Sequence, residues 1–279
     1  MSPAELVARV AAAGLTTISV TDHDTVASID EVTVLARAAN IRVIPGIEIT
    51  AVDDGRDVHM LGYFFDPTSP ALLAMLEAQR ARRVSRAREI GARLEALGMA
   101  VDVESVLLAV AARPGSTVGR PQIARELVRA GHVGSVQEAF DLWLATGRPA
   151  FRPRTGPSPA AVVEAIHDAG GLASIAHPAV TKRDELIAPL VEQGMDAIEV
   201  YHSDHAPEDE QYYKGLAARL DALVSGGSDF HGEDPLNPPA PGHARRAALG
   251  AVTLPPAAFA ALEQRVRLRQ GFGKTGSGR

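Results

Sequence analysis

Two rhythms of apolar residues alternate along this chain. Short runs, Thr16 to Val20, Arg42 to Ile47, Leu172 to Ala176, residues 196–201 and Ala222 to Gly227, have the length of strands. Ile18-Ser19-Val20 and Val43-Ile44 suit strands buried on both faces. Between the runs, apolar residues recur three and four apart, as on a helix packed along one side. Ser2-Pro3-Ala4-Glu5 predicts a helix start: Ser caps, Pro takes the first helical position, and Glu at the third closes a capping box. That helix runs to Ala13 and stops at Gly14. Further helices are predicted over residues 26–39, 158–169, 183–193, 207–221 and 255–269. The alternation is that of an α/β fold.

The rhythm breaks after Phe65-Asp66-Pro67. From residue 69 to 147 the periodicity is helical throughout, with helices predicted over 69–97, 102–111, 120–130 and 135–145. The predicted organisation is therefore a discontinuous barrel domain, residues 1–66 and 154–270, interrupted by a helical insertion over 67–153. Residues 233–247 read as a loop and 271–279 as a disordered tail.

Strand after strand ends in a metal-binding type of residue. Val20 leads into Thr21-Asp22-His23-Asp24, Ile47 into Glu48, Asp57-Val58 into His59, Ala176 into His177, and Gly226-Gly227 into Ser228-Asp229-Phe230-His231. In α/β barrels the active site lies at the C-terminal strand ends. A single loop histidine is ordinarily a surface residue; six chemically matched side chains after apolar strands are not independent. Imidazole and carboxylate without sulfur suit Mn²⁺, Zn²⁺ or Fe²⁺ better than Ca²⁺ or Mg²⁺. Six candidates exceed one ion's needs, so two or three ions bridged by Glu48 are expected. Such a cluster turns a bound water into hydroxide and neutralises phosphate oxygens, the chemistry of phosphoester or amide hydrolysis. Asp24 reads as the cap of the next helix, and Asp22 as a carboxylate that fixes an imidazole. His132 and His167 read as structural, while His243 lies in the predicted loop.

Composition narrows the setting. Hydrophobic residues are 46% of the 279, aromatics only 4%, so the core is aliphatic. No cysteine is present, which excludes disulfides, thiolate zinc sites and cysteine nucleophiles and fits a reducing cytoplasm. No apolar run approaches a membrane span, and no secretory signal opens the chain. The net charge of −6 argues against a general nucleic-acid binder relying on bulk positive charge, and no duplex-DNA binding is expected. Arg80, Arg82, Arg83, Arg86, Arg88 and Arg93 crowd the first insertion helix; they form either a solvated face or, in part, a grip on phosphate. Phe151 is a candidate for stacking a base, and Trp143 for the core of the insertion.

Five motifs in one order, Thr-Asp-His-Asp at 21–24, Gly-Ile-Glu at 46–48, His-Met-Leu-Gly at 59–62, Ala-His-Pro at 176–178 and Gly-Ser-Asp-Phe-His at 227–231, resemble the polymerase-and-histidinol-phosphatase (PHP) superfamily of metal-dependent phosphoesterases. Gly119-Arg120-Pro121, Gly147-Arg148-Pro149-Ala150 and the segment Glu199–His205 are similar to its branch of nucleoside 3′,5′-bisphosphate phosphatases and 5′-to-3′ exoribonucleases. The resemblance implies a distorted seven-stranded, TIM-like barrel with up to three divalent ions, Mn²⁺ foremost. It places metal ligands at His23, Glu48, His59, His177, Asp229 and His231. Of these, His23, Glu48, His177, Asp229 and His231 carry catalysis, and Arg120, His202 and Arg148 meet substrate. The implied substrate is a small phosphorylated nucleotide or a short RNA 5′ end. Another small phosphate ester, such as histidinol phosphate, is the alternative. The family's opening His-X-His strand has no counterpart before Ser2, and Gln122 stands where the branch carries His. The expectation is that Met1 is internal to a longer protein. Without that strand, the chain is expected to bind fewer ions and act weakly, or to persist as a metal- or nucleotide-binding remnant.

Overall fold

The first helix, α1 (Pro3–Ala12), begins with the expected capping box: the Glu5 amide donates to Ser2 Oγ, and the Ser2 amide donates to Glu5 Oε2 at 2.7 Å. Strand β1 (Thr17–Val20) follows, then α2 (Ile29–Ala38), then β2 (Arg42–Asp53), which pairs parallel to β1. This is a computed structural model, and it describes residues 1–112, 116–232 and 249–273, with the backbone alone at 272 and 273.

Strand β2 does not stop at Ile47. It continues through Glu48 to Asp53, turns at Asp54-Gly55, and returns as the antiparallel strand β3 (Arg56–Tyr63). Asp54 and Gly55 sit at φ 48° and 70°, the left-handed pair that a tight hairpin of matching twist requires. Glu48 is thus mid-strand rather than at a strand end, and His59 lies inside β3; both corrections follow from this hairpin.

The chain then stays helical through α3 (Pro70–Ala96), α4 (Val103–Ala111), α5 (Arg120–Arg129) and α6 (Val136–Ala139), which runs into a π-helical turn at Phe140–Leu144. These helices pack around their own core of Ile90, Leu94, Ile123, Leu127 and Leu144, with Trp143 partly buried against it. Helix α7 (Pro159–Asp168) leads to β4 (Leu172–Ile175), antiparallel to β3. After β4 comes a short helix, α8 (Pro178–Thr181), that the periodicity did not predict; the span predicted as one helix over 183–193 begins as a 3₁₀ turn, Asp184–Leu186, before α9 (Ile187–Glu192). Then β5 (Ala197–His202), α10 (Pro207–Arg219) and β6 (Leu223–Gly227) complete a sheet in which β4, β5 and β6 are parallel. The last helix, α11 (Pro256–Gly273), runs past the predicted end at 269, so residues 271–273 are helical rather than tail. The loop predicted over 233–247 and the rest of the tail lie outside the described residues.

The six strands are ordered β1 to β6 as they occur in the chain. Laid flat, five gaps of about 4.8 Å would part the edge strands by roughly 24 Å. Yet His23, just after β1, and His231, just after β6, have ring centroids 5.9 Å apart. The sheet is therefore curled into a half barrel whose edges converge at one end. Among the described residues it is one strand short of the seven that the resemblance implies.

Strand periodicity sorts the side chains. Ile47, Ile49 and Ala51 of β2 and Val58 and Met60 of β3 are buried in the main aliphatic core with Ile166 of α7 and Ile175 of β4. The alternate positions, Glu48 and Thr50 on β2 and His59 on β3, turn to the opposite face, inside the curl. The core face holds the sheet in shape, and the inner face is left for chemistry.

Candidate metal centre

Each candidate ligand is positioned by a different local device. The Glu48 amide donates to the Asp22 carbonyl at 3.2 Å and the Asp24 amide to the Glu48 carbonyl at 2.9 Å, which extends the β1–β2 pairing past Val20 and sets His23 beside Glu48. His59 faces Thr50 across the hairpin, which makes it a diagonal neighbour of Glu48. His177 follows β4 at φ 28°, and Asp229 follows β6 at φ 50°. Both backbones are in a region that non-glycine residues rarely adopt, as at sites where side-chain aim outweighs local comfort.

The side chains converge on Glu48. His59 Nδ1 is 2.6 Å and His177 Nε2 is 3.2 Å from Glu48 Oε1, while His23 Nδ1 is 3.5 Å from Oε2. His59 Nδ1 and His177 Nε2 are 3.3 Å apart. Burial by itself would raise the Glu48 carboxyl; hydrogen bonds from His177 and His59 and the charge of His23 overcome it and hold the group well below the usual carboxylate range. Burial would also lower His59, but its hydrogen bond to Glu48 prevails and raises it. For His23 burial wins, and its imidazole is lowered despite Glu48.

Asp229 and His231 form the other side of the mouth. His231 Nδ1 is 3.4 Å from Asp229 Oδ1, and the exposed His231 ring faces His23. His202, on β5, is fully buried. Its Nδ1 accepts the Asp204 amide at 3.1 Å, so the proton of the neutral ring resides on Nε2, which lies 3.4 Å from Asp229 Oδ2. It sits beneath Asp229 rather than on an open face. Burial pushes the Asp229 carboxyl up, but His202 and His231 outweigh that and lower it.

Glu199 was missed as a site residue in its own right. It is buried on the inner face of β5, and its Oε2 accepts the His177 amide at 2.7 Å, which fixes the strained backbone of that candidate ligand. Burial raises its carboxyl well above the ordinary range, with Asp229 and Glu48 adding to the effect. The available signal was an acid inside the apolar run Ala197–Val200.

Asp24 is not a helix cap. Ser28 occupies the cap position of α2, and Asp24 is buried, accepting from the Thr50 amide at 2.8 Å, from Gln79 at 3.2 Å and from the Arg83 guanidinium. Its partners lie on β2 and α3, far off in sequence. Asp22 accepts from Ser28 Oγ, and no imidazole contact is recorded for it among the described residues. His132 Nε2 lies 2.9 Å from the Ala100 carbonyl, and His167 pairs with the buried Asp196 at 2.7 Å.

Beside the His/Glu cluster lies a patch of partly buried arginines. Arg83 reaches Asp24 and Thr50 Oγ1, and Arg154 lies 3.4 Å from Asp57. Arg86 donates from Nε and Nη2 to the Arg152 carbonyl at 2.9 and 2.8 Å. Arg120, at the start of α5, has its Cζ 5.7 Å from the Phe140 ring centroid and 5.6 Å from that of Phe151, and donates to the Leu144 carbonyl of the π-helical turn. These guanidinium groups feel one another: burial first, then Arg154 and Arg120, lowers Arg86 to about 10. Arg148 is exposed on the turn after the π-helical segment.

No family model matches the chain. It is 35% identical over 236 residues to a 5′-3′ exoribonuclease of Haemophilus influenzae, covering 83% of this chain and 85% of that protein. It is 32% identical over 236 residues to a 3′,5′-nucleoside bisphosphate phosphatase of Chromobacterium violaceum, covering 83% and 82%. A Bifidobacterium adolescentis structure described as a metal-dependent phosphoesterase superposes with a TM-score of 0.78 at 31% identity, covering 95% of this chain and 91% of that one. The chain belongs to the PHP family of metal-dependent phosphoesterases.

The donor set of this PHP enzyme fits such an ion. One ligand atom each from His23, Glu48 and His59 lie within 4.8 Å of one another. They are two imidazoles and a carboxylate held ionised, with no sulfur among them, a set that transition-metal dications accept. Among the described residues, no helix is long and apolar enough to cross a membrane.

Proposed function

We propose that this PHP enzyme hydrolyses the phosphate joined to the 3′-oxygen of a nucleotide that also carries a 5′-phosphate. A 3′,5′-bisphosphonucleotide and the 5′ end of a short RNA both present that group, which unites the activities named for the two relatives. His23, Glu48, His59, His177, Asp229 and His231 would hold two or three divalent ions, Mn²⁺ foremost. Bound there, the ions would supply positive charge for the phosphate and lower the pKa of water. His202 and Glu199 serve as positioning residues, the first for Asp229 and the second for His177.

The observation that carries the substrate reading is the arginine patch. A monoester such as histidinol phosphate has one phosphate, which the metal centre takes. Arg120 and Arg86, which have no carboxylate partner among the described residues, would then line the site without an anion, and Arg154 would have Asp57 alone. Arg154 pairs with Asp57, two residues before His59 on β3, and Arg83 bonds Thr50, which faces His59 across the hairpin, so the patch adjoins the metal centre. We assign the second phosphate of the substrate to this patch, with Arg120 braced between Phe140 and Phe151 as its principal contact. Arg148 is assigned an outer contact at the rim. Residues 67–153, the helical insertion, form the wall that carries Arg83, Arg86 and Arg120.

A panel of phosphate esters with added Mn²⁺ tests this. Nucleoside 3′,5′-bisphosphates and 5′-phosphorylated oligoribonucleotides should be hydrolysed with kcat/KM well above that for p-nitrophenyl phosphate or histidinol phosphate. Equal rates on the bisphosphate and the generic ester would overturn the reading.

A further inference from the structure

Helix α3 carries its arginines on distinct faces, and only some of them are neutralised. Arg80 pairs with Glu77 and Arg88 with Glu104, both on the outer side. Arg83 turns inward to Asp24. A further stripe, Arg82, Ser85, Arg86 and Glu89, follows the helical three- and four-residue spacing. Together with Arg152 and Thr155 it lines a groove of about 190 Å³. At roughly 30 Å³ per water in the liquid, that space holds several waters, enough for a phosphodiester group.

The charge in this groove is unbalanced. Three guanidinium groups face one carboxylate, Glu89, whose Oε2 is 3.0 Å from Arg152 Nε. Arg82 has no hydrogen bond or ion pair among the described residues, and its side chain is exposed. Arg86 is pinned by the Arg152 carbonyl and is shared: one side belongs to the groove, the other is electrically coupled to Arg154 and Arg120 of the inner patch. Thr155 and Ser85, the latter with its hydroxyl 3.5 Å from Glu89 Oε1, add hydroxyls to the lining. A groove with excess guanidinium charge and hydroxyls in its lining, with Pro153 as the apolar residue, matches a backbone phosphate.

We propose that this groove, outside the metal centre, binds a backbone phosphate of the RNA strand beyond the bond being cleaved, so that the enzyme is fitted to a polynucleotide and not only to a mononucleotide. The proposal rests on the nucleotide phosphoesterase reading above. A mononucleotide bisphosphate has no third phosphate and leaves the groove empty. An RNA 5′ end continues past the cleaved linkage and fills it.

The test compares wild type with Arg82→Glu and Arg152→Glu on two probes, a nucleoside 3′,5′-bisphosphate and a 5′-phosphorylated pentaribonucleotide. Arg82 is an exposed helix position, so its replacement leaves folding intact. Hydrolysis with Mn²⁺ is measured, and binding of the fluorescently labelled pentamer is followed by anisotropy against salt. For the pentamer, KM and Kd should rise about tenfold in each variant, the scale of one lost charge-assisted contact. The salt slope should fall by close to one counterion. KM for the bisphosphate should stay within twofold of wild type. Unchanged pentamer binding in both variants would overturn the groove, as would equal losses on both probes. A wild-type enzyme that hydrolyses neither probe with Mn²⁺ instead sinks the underlying reading, while pentamer binding still decides the groove.

Discussion

The Asp24–Arg83 pair anchors the insertion to the sheet, and its removal should be costly. Asp24 is 1% exposed and Arg83 11%. Asp24→Asn keeps an oxygen for the Thr50 amide but leaves Arg83 as a charge without a counterion in a dry setting. Breaking one half of a buried pair costs about 3–5 kcal/mol, and the retained amide bond places this variant near 3. With an unfolding entropy of about 2.1 cal/mol/K per residue, the 279-residue chain loses about 0.6 kcal/mol per degree, so the melting temperature should drop by about 5 °C. Arg83→Met on top of Asp24→Asn replaces the stranded charge with apolar volume and should recover most of that loss, because an apolar replacement of a buried pair is often neutral. Thermal unfolding of chelated protein, followed by far-UV circular dichroism, measures both. If Asp24→Asn melts with wild type, or if the double variant is no better than the single, then the pair does not anchor the insertion.

Other outcomes follow from the same geometry. In metal-free protein the lowered Glu48 contributes stability above its ordinary value of 4.5 and loses it as pH falls toward the folded value. The raised His59 contributes fully below 6.5 and loses it as pH rises through its folded value. The melting-temperature gap between wild type and Glu48→Gln should therefore peak between pH 4.5 and 6.5; a gap that keeps growing toward pH 8 contradicts the pairing. Burial raises the Glu199 carboxyl and so favours its neutral form, and the neutral, similarly shaped Glu199→Gln should shift stability by less than about 1 kcal/mol, whereas Glu199→Leu strands the His177 amide and should cost about 1–3 kcal/mol in denaturant unfolding. Arg120→Ala should raise KM for a 3′,5′-bisphosphate roughly 30-fold, about 2 kcal/mol of charge-assisted binding, while kcat on p-nitrophenyl phosphate stays within twofold. Parallel loss on both substrates would assign Arg120 to folding instead.

Much of this layout could be read from the residues themselves. His23, His177, Asp229 and His231 each follow a short apolar strand, and the structure brings their ends together because the sheet curls. The Ser2–Glu5 box and the long helix after Ser69 carry local signals that do not depend on tertiary context. The direction of β3 was harder. Glu48 interrupts an apolar run and so resembles a strand end, although period-two alternation continues from Ile47 through Thr50 to Ala51, short of the Asp54-Gly55 turn. Asp24 shows the opposite limit. A short acid before a helix has the local signature of a cap, and only the fold reveals that Arg83, 59 residues away in sequence, claims it. Glu199 is only half legible for a similar reason: an acid inside the apolar run Ala197–Val200 marks it, but its partner is a backbone amide whose conformation no pattern of residue types encodes.

The central claim is that Glu48 gathers imidazoles from separate strands to hold the metal on which hydrolysis depends. Calorimetric titration of chelator-stripped wild type and Glu48→Gln with Mn²⁺, with hydrolysis of a nucleoside 3′,5′-bisphosphate measured on the same samples, tests it directly. Wild type should bind Mn²⁺ and gain activity with occupancy, and Glu48→Gln should lose at least about 100-fold in affinity, beyond the 10–100-fold typical of outer-shell partners, with activity falling in step. Mn²⁺ binding by Glu48→Gln as tight as that of wild type, or full activity in metal-free protein, would contradict the account.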